Sequence, residues 1–172
     1  SGNQATAFGA SSAATQENAT AIGEKAKASG TQSTAIGRQS LANKHDATAL
    51  GTVSKATNQR ATAIGVLTQA SGKCSTAVGA LAVASGFLSQ AVGANATASG
   101  ENSSAVGSYA TSSNSRSTAI GTGSATTRDD QLMLGKAATE VTVANLSGTG
   151  TSLIVANADG TLSRSTISDN GL

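Results

Sequence analysis

Residues 33–37 read STAIG, and this short phrase recurs along the chain with small changes. Close copies are NATAIG at 18–23, DATALG at 46–51, RATAIG at 60–65, CSTAVG at 74–79 and RSTAIG at 116–121. The glycine that ends the phrase returns every fourteen residues from Gly9 to Gly135, without an insertion. A fixed period of this kind predicts stacked structural repeats, each of which buries its apolar face against the next.

The two columns at the end of the phrase are the most regular part of the repeat. Every phrase glycine follows an apolar residue, with Phe8-Gly9 and Leu134-Gly135 at the two ends. We expect these columns to be structural, and between the ends they contain Ile22 and Gly23, Ile36 and Gly37, Leu50 and Gly51, Ile64 and Gly65, Val78 and Gly79, Val92 and Gly93, Val106 and Gly107, and Ile120 and Gly121.

A weaker echo follows each phrase after seven residues. It reads Ala-Ser-Gly at 28–30, 70–72, 84–86 and 98–100, and Asn takes the third place at Asn58 and Asn114. Gly and Asn tolerate positive φ better than other residues. Each unit of fourteen residues is therefore expected to contain two short strands and two tight turns, with positive φ at the phrase glycine and at the echo glycine.

Composition agrees with a repeat of small residues and disfavours several other classes. The 172 residues include 20 Gly, no Pro, no Trp, two Phe and one Cys, and only 12% are charged. Low charge is not typical of disordered chains, and the large apolar column returns too rarely for a coiled-coil heptad. A single cysteine excludes an intramolecular disulfide and a zinc site built on cysteines.

The pattern predicts an all-β fold, a single-chain β-solenoid with fourteen residues per coil and about ten coils, which would make a rod roughly 48 Å long. Strand alternation places Thr34 and Ile36 on one face and Ala35 on the other. The alternation does not decide which of these faces lies inside the coil. So narrow a coil has little interior, which favours oligomerisation as the way to bury more apolar surface.

The repeats resemble the YadA-like head domain of trimeric autotransporter adhesins, whose phrase has the form N-S-V-A-I-G-S. The copy at 102–108 matches this phrase at Asn102, Ser103, Ala105, Gly107 and Ser108, and departs from it at Ser104 and Val106. The resemblance covers about residues 1–136.

The resemblance implies a left-handed parallel β-roll and a homotrimer with three chains side by side. It also implies display on the surface of a Gram-negative bacterium, with anchoring in the outer membrane through C-terminal regions that this sequence lacks. The partners that it implies are host extracellular matrix proteins, collagen-like or other, or the host cell surface. No direct membrane insertion by this fragment is expected.

The regular period stops after Gly135, which predicts a division into 1–136, the β-roll head repeats, and 137–172, a β-rich capping or neck-like segment that leads to the stalk. In the second segment residues 140–146 alternate as a strand does. Residues 152–156 and 161–167 flank a predicted hairpin turn at 157–160.

Apolar residues in the turn columns depart most from the plain pattern. Val66, Leu67 and Leu81 occupy one turn column, and Phe87 with Leu88 occupies the opposite one. Since turns usually face solvent, these residues are candidate ligand contacts on an exposed patch. The alternative is that a turn column lies near the trimer axis and is buried there. Candidate ligand contacts from the family-like copy of the phrase are Asn102, Ser103 and Ser108.

No constellation in the sequence favours an enzyme, a cofactor or a metal. His45 and Asp46 are neighbours in a turn, but no activated serine can be assigned to them. No phosphate-binding loop is present, and the bases are neither clustered nor interleaved with aromatic residues, which disfavours nucleic acid. Two alternatives to an adhesin stay open, namely an ice-binding solenoid, suggested by a threonine column at 20, 34, 48, 62 and 76, and a trimeric phage tail fibre.

Overall fold

The computed structural model describes residues 2–136 and 139, together with the backbone of 154–156 and 162–164. Within these residues the chain forms strands and turns, and no helix. The solenoid strands contain only two or three residues, because two four-residue turns take most of each repeat. They are β1 (Thr6–Phe8), β2 (Ala13–Ala14), β3 (Thr20–Ile22), β4 (Lys27–Ala28), β5 (Thr34–Ile36), β6 (Leu41–Ala42), β7 (Thr48–Leu50), β8 (Lys55–Ala56), β9 (Thr62–Ile64), β10 (Gln69–Ala70), β11 (Thr76–Val78), β12 (Val83–Ala84), β13 (Gln90–Val92), β14 (Thr97–Ala98), β15 (Ser104–Val106), β16 (Thr111–Ser112), β17 (Thr118–Ile120) and β18 (Leu132–Leu134).

Two parallel sheets run along the solenoid. The odd-numbered strands β1 to β17 form a ten-stranded sheet that ends on β18, and the even-numbered strands β2 to β16 form an eight-stranded sheet. Equivalent residues of successive repeats pair directly, as Ile22 does with Ile36 and Lys27 with Leu41. The predicted β-solenoid with fourteen residues per coil is therefore confirmed, with about nine coils instead of ten.

The interior of the coil is lined by alanine. In β5 the side chain of Ala35 is fully buried, whereas Thr34 and Ile36 on either side of it are only partly buried. Every buried apolar residue in the described part of the chain is an alanine, and buried Ser and Thr complete the lining. The structure thus decides the question that strand alternation left open: the small residues face inward because two sheets so close together leave no room for larger ones.

The phrase glycines form corners as expected, with a φ of +125° at Gly37. The expectation for the echo glycines was wrong, because Gly30 does not have positive φ and Gln32, two residues later, has a φ of +57°. Gly30 is instead required by space, since a Cβ atom there would overlap the carbonyl group of Lys44 in the next coil. The same position of nearly every turn holds a non-glycine residue at positive φ, including the β-branched Val53.

The chain divides into two compact units, Ser1–Glu140 and Val141–Leu172. In the second unit β19 (Ile154–Ala156) pairs antiparallel with β20 (Leu162–Arg164). This pairing agrees with the hairpin predicted for 152–156 and 161–167. The predicted strand at 140–146 and the turn at 157–160 lie outside the described residues. The assignment of 137–172 as a capping or neck-like segment stays a prediction.

Candidate functional site

The flattened coil has four outer surfaces on which a partner could bind. Two are the outer faces of the ten-stranded and eight-stranded sheets, and two are edges on which successive turns stack. We call the edge made by the turns that begin at phrase glycines, such as 65–68, the first edge. The other edge, made by turns such as 86–89, is the second edge. Because the turns alternate along the chain, the two edges lie on opposite sides of the coil.

The outer face of the ten-stranded sheet carries an apolar column along its whole length. The large residues of the phrase point outward and stack at intervals of one coil, and they remain about two-fifths exposed at Ile64 (37%), Val106 (41%) and Ile120 (41%). We call this column the apolar ladder, and it contains Phe8, Ile22, Ile36, Leu50, Ile64, Val78, Val92, Val106, Ile120 and Leu134. So long an exposed apolar column is typical of a surface that contacts another protein.

Beside the apolar ladder, on the same face, runs the threonine column that suggested ice binding. Thr62 pairs with Thr48 and Thr76 in the neighbouring strands, and Gln90 interrupts the column in the next coil. Each threonine shares its face with an Ile, Leu or Val two residues later instead of with a second threonine. The array is therefore one residue wide.

The first edge brings together three of the residues predicted for ligand contact. Val66, Leu67 and Leu81 are all about half exposed, and the backbone N–H of Leu81 donates to the carbonyl oxygen of Val66 at 2.9 Å. One glycine separates Val66 from Ile64 of the apolar ladder. The apolar surface of the first edge is therefore continuous with the apolar face of the ten-stranded sheet.

Phe87 and Leu88 lie on the second edge, across the coil from that cluster, with 44% and 43% of their surface exposed. On one side the backbone N–H of Leu88 donates to Lys73 O at 3.0 Å, which places Cys74 in the adjacent turn. On the other side the N–H of exposed Asn102 donates to Phe87 O at 2.8 Å. The predicted contact residues thus form two separate groups and not one patch.

The remaining two predicted contact residues are less accessible. Ser103 is fully buried, and its hydroxyl faces the interior without a hydrogen-bond partner. A ligand outside the coil cannot reach this side chain, so Ser103 is left out of the proposals below. Ser108 is partly buried on the first edge, where its hydroxyl donates to Ala94 O at 3.3 Å.

Two further residues of the first edge belong to the same column but were not among the predicted contacts. Val53 precedes Leu67 by one coil, and Tyr109 follows Leu81 by two coils with 64% of its surface exposed. Both have positive φ, at +58° and +59°. Alignment of the turn columns at intervals of fourteen residues would have revealed both of them.

The outer face of the eight-stranded sheet is mostly polar. Lys27 and Lys55 are exposed there two coils apart, with the partly buried Leu41 between them. A column of hydroxyl groups follows these strands, represented by Ser71, Ser85 and Ser99. This face therefore presents polar groups at a spacing of about 4.8 Å, whereas the opposite face presents the apolar ladder.

Among the described residues, the ion pairs lie on the surface of the solenoid. His45 Nδ1 lies 2.8 Å from Asp46 Oδ2 on the exposed second edge. Arg116 donates from Nε and Nη2 to Asp130 at 2.6 and 2.8 Å, and this hydrogen bond holds the pKa of the Asp130 carboxyl below its usual value. Among the described residues no group of three or more His, Cys, Asp or Glu side chains could hold a metal ion, and no helix could cross a membrane.

The family model for the YadA head domain repeat, which spans two copies of the repeat, matches this chain seven times. The matched residues are 1–26, 14–40, 28–54, 42–68, 56–82, 84–110 and 98–124, and together they cover more than half of the sequence. The chain belongs to the YadA head family. The matched family consists of adhesin heads and not of enzymes, so this YadA-type chain is an adhesin head and a cell-surface protein.

A solved structure supports the same fold. The crystal structure of the collagen-binding domain of the Yersinia adhesin YadA matches with a TM-score of 0.52 and 21% sequence identity, over 93% of this chain and 96% of that one. At this identity the likeness concerns the fold alone. Comparison with curated proteins gave no significant match.

Proposed function

We propose that this YadA-type head assembles as a homotrimer and attaches a bacterium to a host extracellular matrix protein, collagen-like or other, or to the host cell surface. The family match carries the proposal for adhesion. The apolar ladder, partly exposed in every coil of a single chain, supports the assembly. From the family we also propose that regions C-terminal to this chain anchor it in the outer membrane.

The alanine interior gives a single chain little stabilisation of its own, which favours assembly. An alanine side chain contributes little apolar surface, so one coil gains little from its own core. Burial of the exposed part of one Ile or Val in the ladder contributes about 1 kcal/mol. Ten ladder residues then contribute about 10 kcal/mol per copy, comparable with the roughly 4–15 kcal/mol that association costs. That three copies assemble is inferred from the family.

If the ten-stranded sheets face one another, the polar eight-stranded sheets face outward. Their side chains repeat at each coil, so a ligand chain along the rod could make the same weak contact many times, on three copies at once. Exposed Asn102 and partly buried Ser108 remain proposed contact residues. The apolar groups of the two edges are proposed contacts either with the ligand or between copies.

The oligomeric state and the binding activity can be tested on the same preparation. In sedimentation equilibrium we expect a mass three times the 16.5-kDa chain, and on immobilised collagen, other matrix proteins and host cells we expect saturable binding. Ile64→Ser combined with Val92→Ser, on the apolar ladder, should shift the trimer towards monomers. The matched pair Lys27→Ser and Lys55→Ser, on the opposite face, should leave the mass unchanged. A wild-type monomer, or a trimer that binds none of these targets, would contradict the proposal.

The family match favours adhesion over the ice-binding and phage tail-fibre alternatives. In the proposed trimer the threonine column shares the face that packs against other copies, so it would not be available to ice. Measurement of thermal hysteresis on the intact head should therefore show none.

A further inference from the structure

Val66, Leu67 and Leu81 of the first edge occur at the same level of the solenoid as Cys74, Phe87 and Leu88 of the second edge. Successive coils are about 4.8 Å apart, and each turn of the second edge lies half a coil after a turn of the first. Leu81 therefore lies about 2.4 Å along the rod from both Cys74, in the preceding turn, and Leu88, in the following turn. Away from these coils both edges are mainly polar, for example at Lys25 and Asn18.

A cyclic trimer brings opposite edges together. If three flattened coils turn the same sheet towards a threefold axis, the first edge of each copy lies beside the second edge of the next. Rotation about the axis involves no shift along it, so residues at one level in a single chain meet at that level across the contact. Coincident apolar groups on opposite edges are therefore what such a contact requires.

We propose that the first-edge cluster of Val66, Leu67 and Leu81 packs against the second-edge cluster of Cys74, Phe87 and Leu88 in the neighbouring copy. The three contacts would form an apolar belt around the trimer and fix its axial register. The inference rests on the proposed trimer. The first-edge cluster continues the apolar ladder, so a copy that covers the ladder also reaches the cluster.

The backbone conformation of three leucines is a second reason to expect that another copy covers them. Leu67, Leu81 and Leu88 have φ values of +58°, +61° and +55°, in a region that favours Gly and Asn. Each leucine is thus strained as well as exposed in a single chain. Asn95 and Asn102 hold the equivalent positions in neighbouring turns without this conflict. Burial by a second copy would compensate for both costs.

Charges nearer the N-terminus are complementary in the same arrangement. Lys25 and Arg38 lie on the first edge, and Glu17 and Asp46 lie on the second, each half a coil from the corresponding base. Two charges are exceptions: Lys44, beside the second edge, has the same sign as Arg38, and Glu24, which pairs with Lys25 at 3.4 Å on the first edge, has the same sign as Glu17. An offset of several coils between copies would separate these charges and expose the apolar groups, which favours the in-register contact.

The native Cys74 permits a direct test by cross-linking. In full-length trimer that carries Leu81→Cys, oxidation should join each introduced thiol to Cys74 of the next copy and give a covalent trimer on a non-reducing denaturing gel. A contact between two introduced thiols would give dimers at most. The product should disappear when Cys74→Ser is added.

Lys25→Cys is the matched control, because Lys25 has the same exposed turn position and a φ of +57°, but lies three and a half coils from Cys74, about 17 Å along the rod. It should give less than a tenth of the cross-linked product. A wild-type chain that sediments as a monomer rejects the proposed trimer. A wild-type trimer in which Leu81→Cys cross-links no better than Lys25→Cys rejects only the edge contact.

A second experiment separates contact between copies from contact with a ligand. Phe87→Ser combined with Leu88→Ser should raise the concentration at which the trimer dissociates at least tenfold, whereas Asn102→Ser in the next turn should change it less than twofold. A double variant whose dissociation is unchanged overturns the inference. If that variant also loses binding to collagen or cells, the second-edge cluster contacts the ligand.

Discussion

Substitution of one phrase glycine should destabilise the solenoid far more than the same substitution at a glycine with free space. At Gly37 the φ of +125° is one that side chains rarely adopt, and an added Cβ would lie 2.5 Å from Gly51 O in the next coil. At Gly123 the φ is +67°, and the nearest heavy atom to an added Cβ is Lys136 Cδ at 3.7 Å. Gly37→Ala and Gly123→Ala are therefore a matched pair.

The magnitude follows from what must move at Gly37. Backbone strain in a sparsely populated conformation costs about 1–3 kcal/mol. The Gly51 carbonyl must also shift, and it accepts hydrogen bonds from the backbone N–H and the hydroxyl of Ser54 at 3.3 and 2.9 Å. Loss of the two bonds costs about 1 kcal/mol each. We expect Gly37→Ala to lower the free energy of unfolding by about 3–5 kcal/mol, and Gly123→Ala by about 1 kcal/mol.

Urea denaturation monitored by circular dichroism measures both changes, at one chain concentration for all proteins so that assembly does not alter the comparison. The slopes with urea should agree between variants, since the same surface is exposed on unfolding. If Gly37→Ala proves no more destabilising than Gly123→Ala, the close approach of successive coils does not limit this position, and the reasoning fails.

Three further predictions concern single side chains. Ser33→Ala should lower the free energy of unfolding by about 1 kcal/mol, because the Ser33 hydroxyl donates to the carbonyl oxygen of Gly30 at 2.6 Å. Ser103→Ala should be neutral or stabilising, because that buried hydroxyl has no hydrogen-bond partner. Equal losses of stability in urea denaturation would contradict this prediction. Asn95→Val should destabilise by about 1–2 kcal/mol relative to Asn95→Gly, since φ is +56° there; equal melting temperatures would refute the assigned strain. The hydrogen bond to Arg116 lowers the pKa of Asp130 in the folded state, so the pair stabilises the fold above the unfolded pKa, and this stabilisation disappears as pH falls through the folded pKa. Arg116→Gln should therefore reduce the dependence of the melting temperature on acid pH. An unchanged pH profile of the melting temperature would contradict this prediction.

The candidate surfaces were only partly predictable. The apolar departures at Val66, Leu67 and Phe87 were visible in the sequence because the period aligns every turn. That they form two groups on opposite edges follows from the path of the coil. Ser103 was misleading because the family-like phrase mixes inward-facing and outward-facing positions, and a pattern of letters does not distinguish them.

The period of fourteen residues determined the fold, because a repeat without insertions can pair each strand only with its equivalent in the next coil. Alternation in the phrase separated Ala35 from Thr34 and Ile36, but left undecided which side faces inward. Only the tertiary structure decided that alanine faces inward, through the narrow gap between the sheets. It also decided that positive φ falls on Gln32 and not on Gly30. Gly30 is required because the next coil approaches it closely, and this neighbour is not visible within a single repeat.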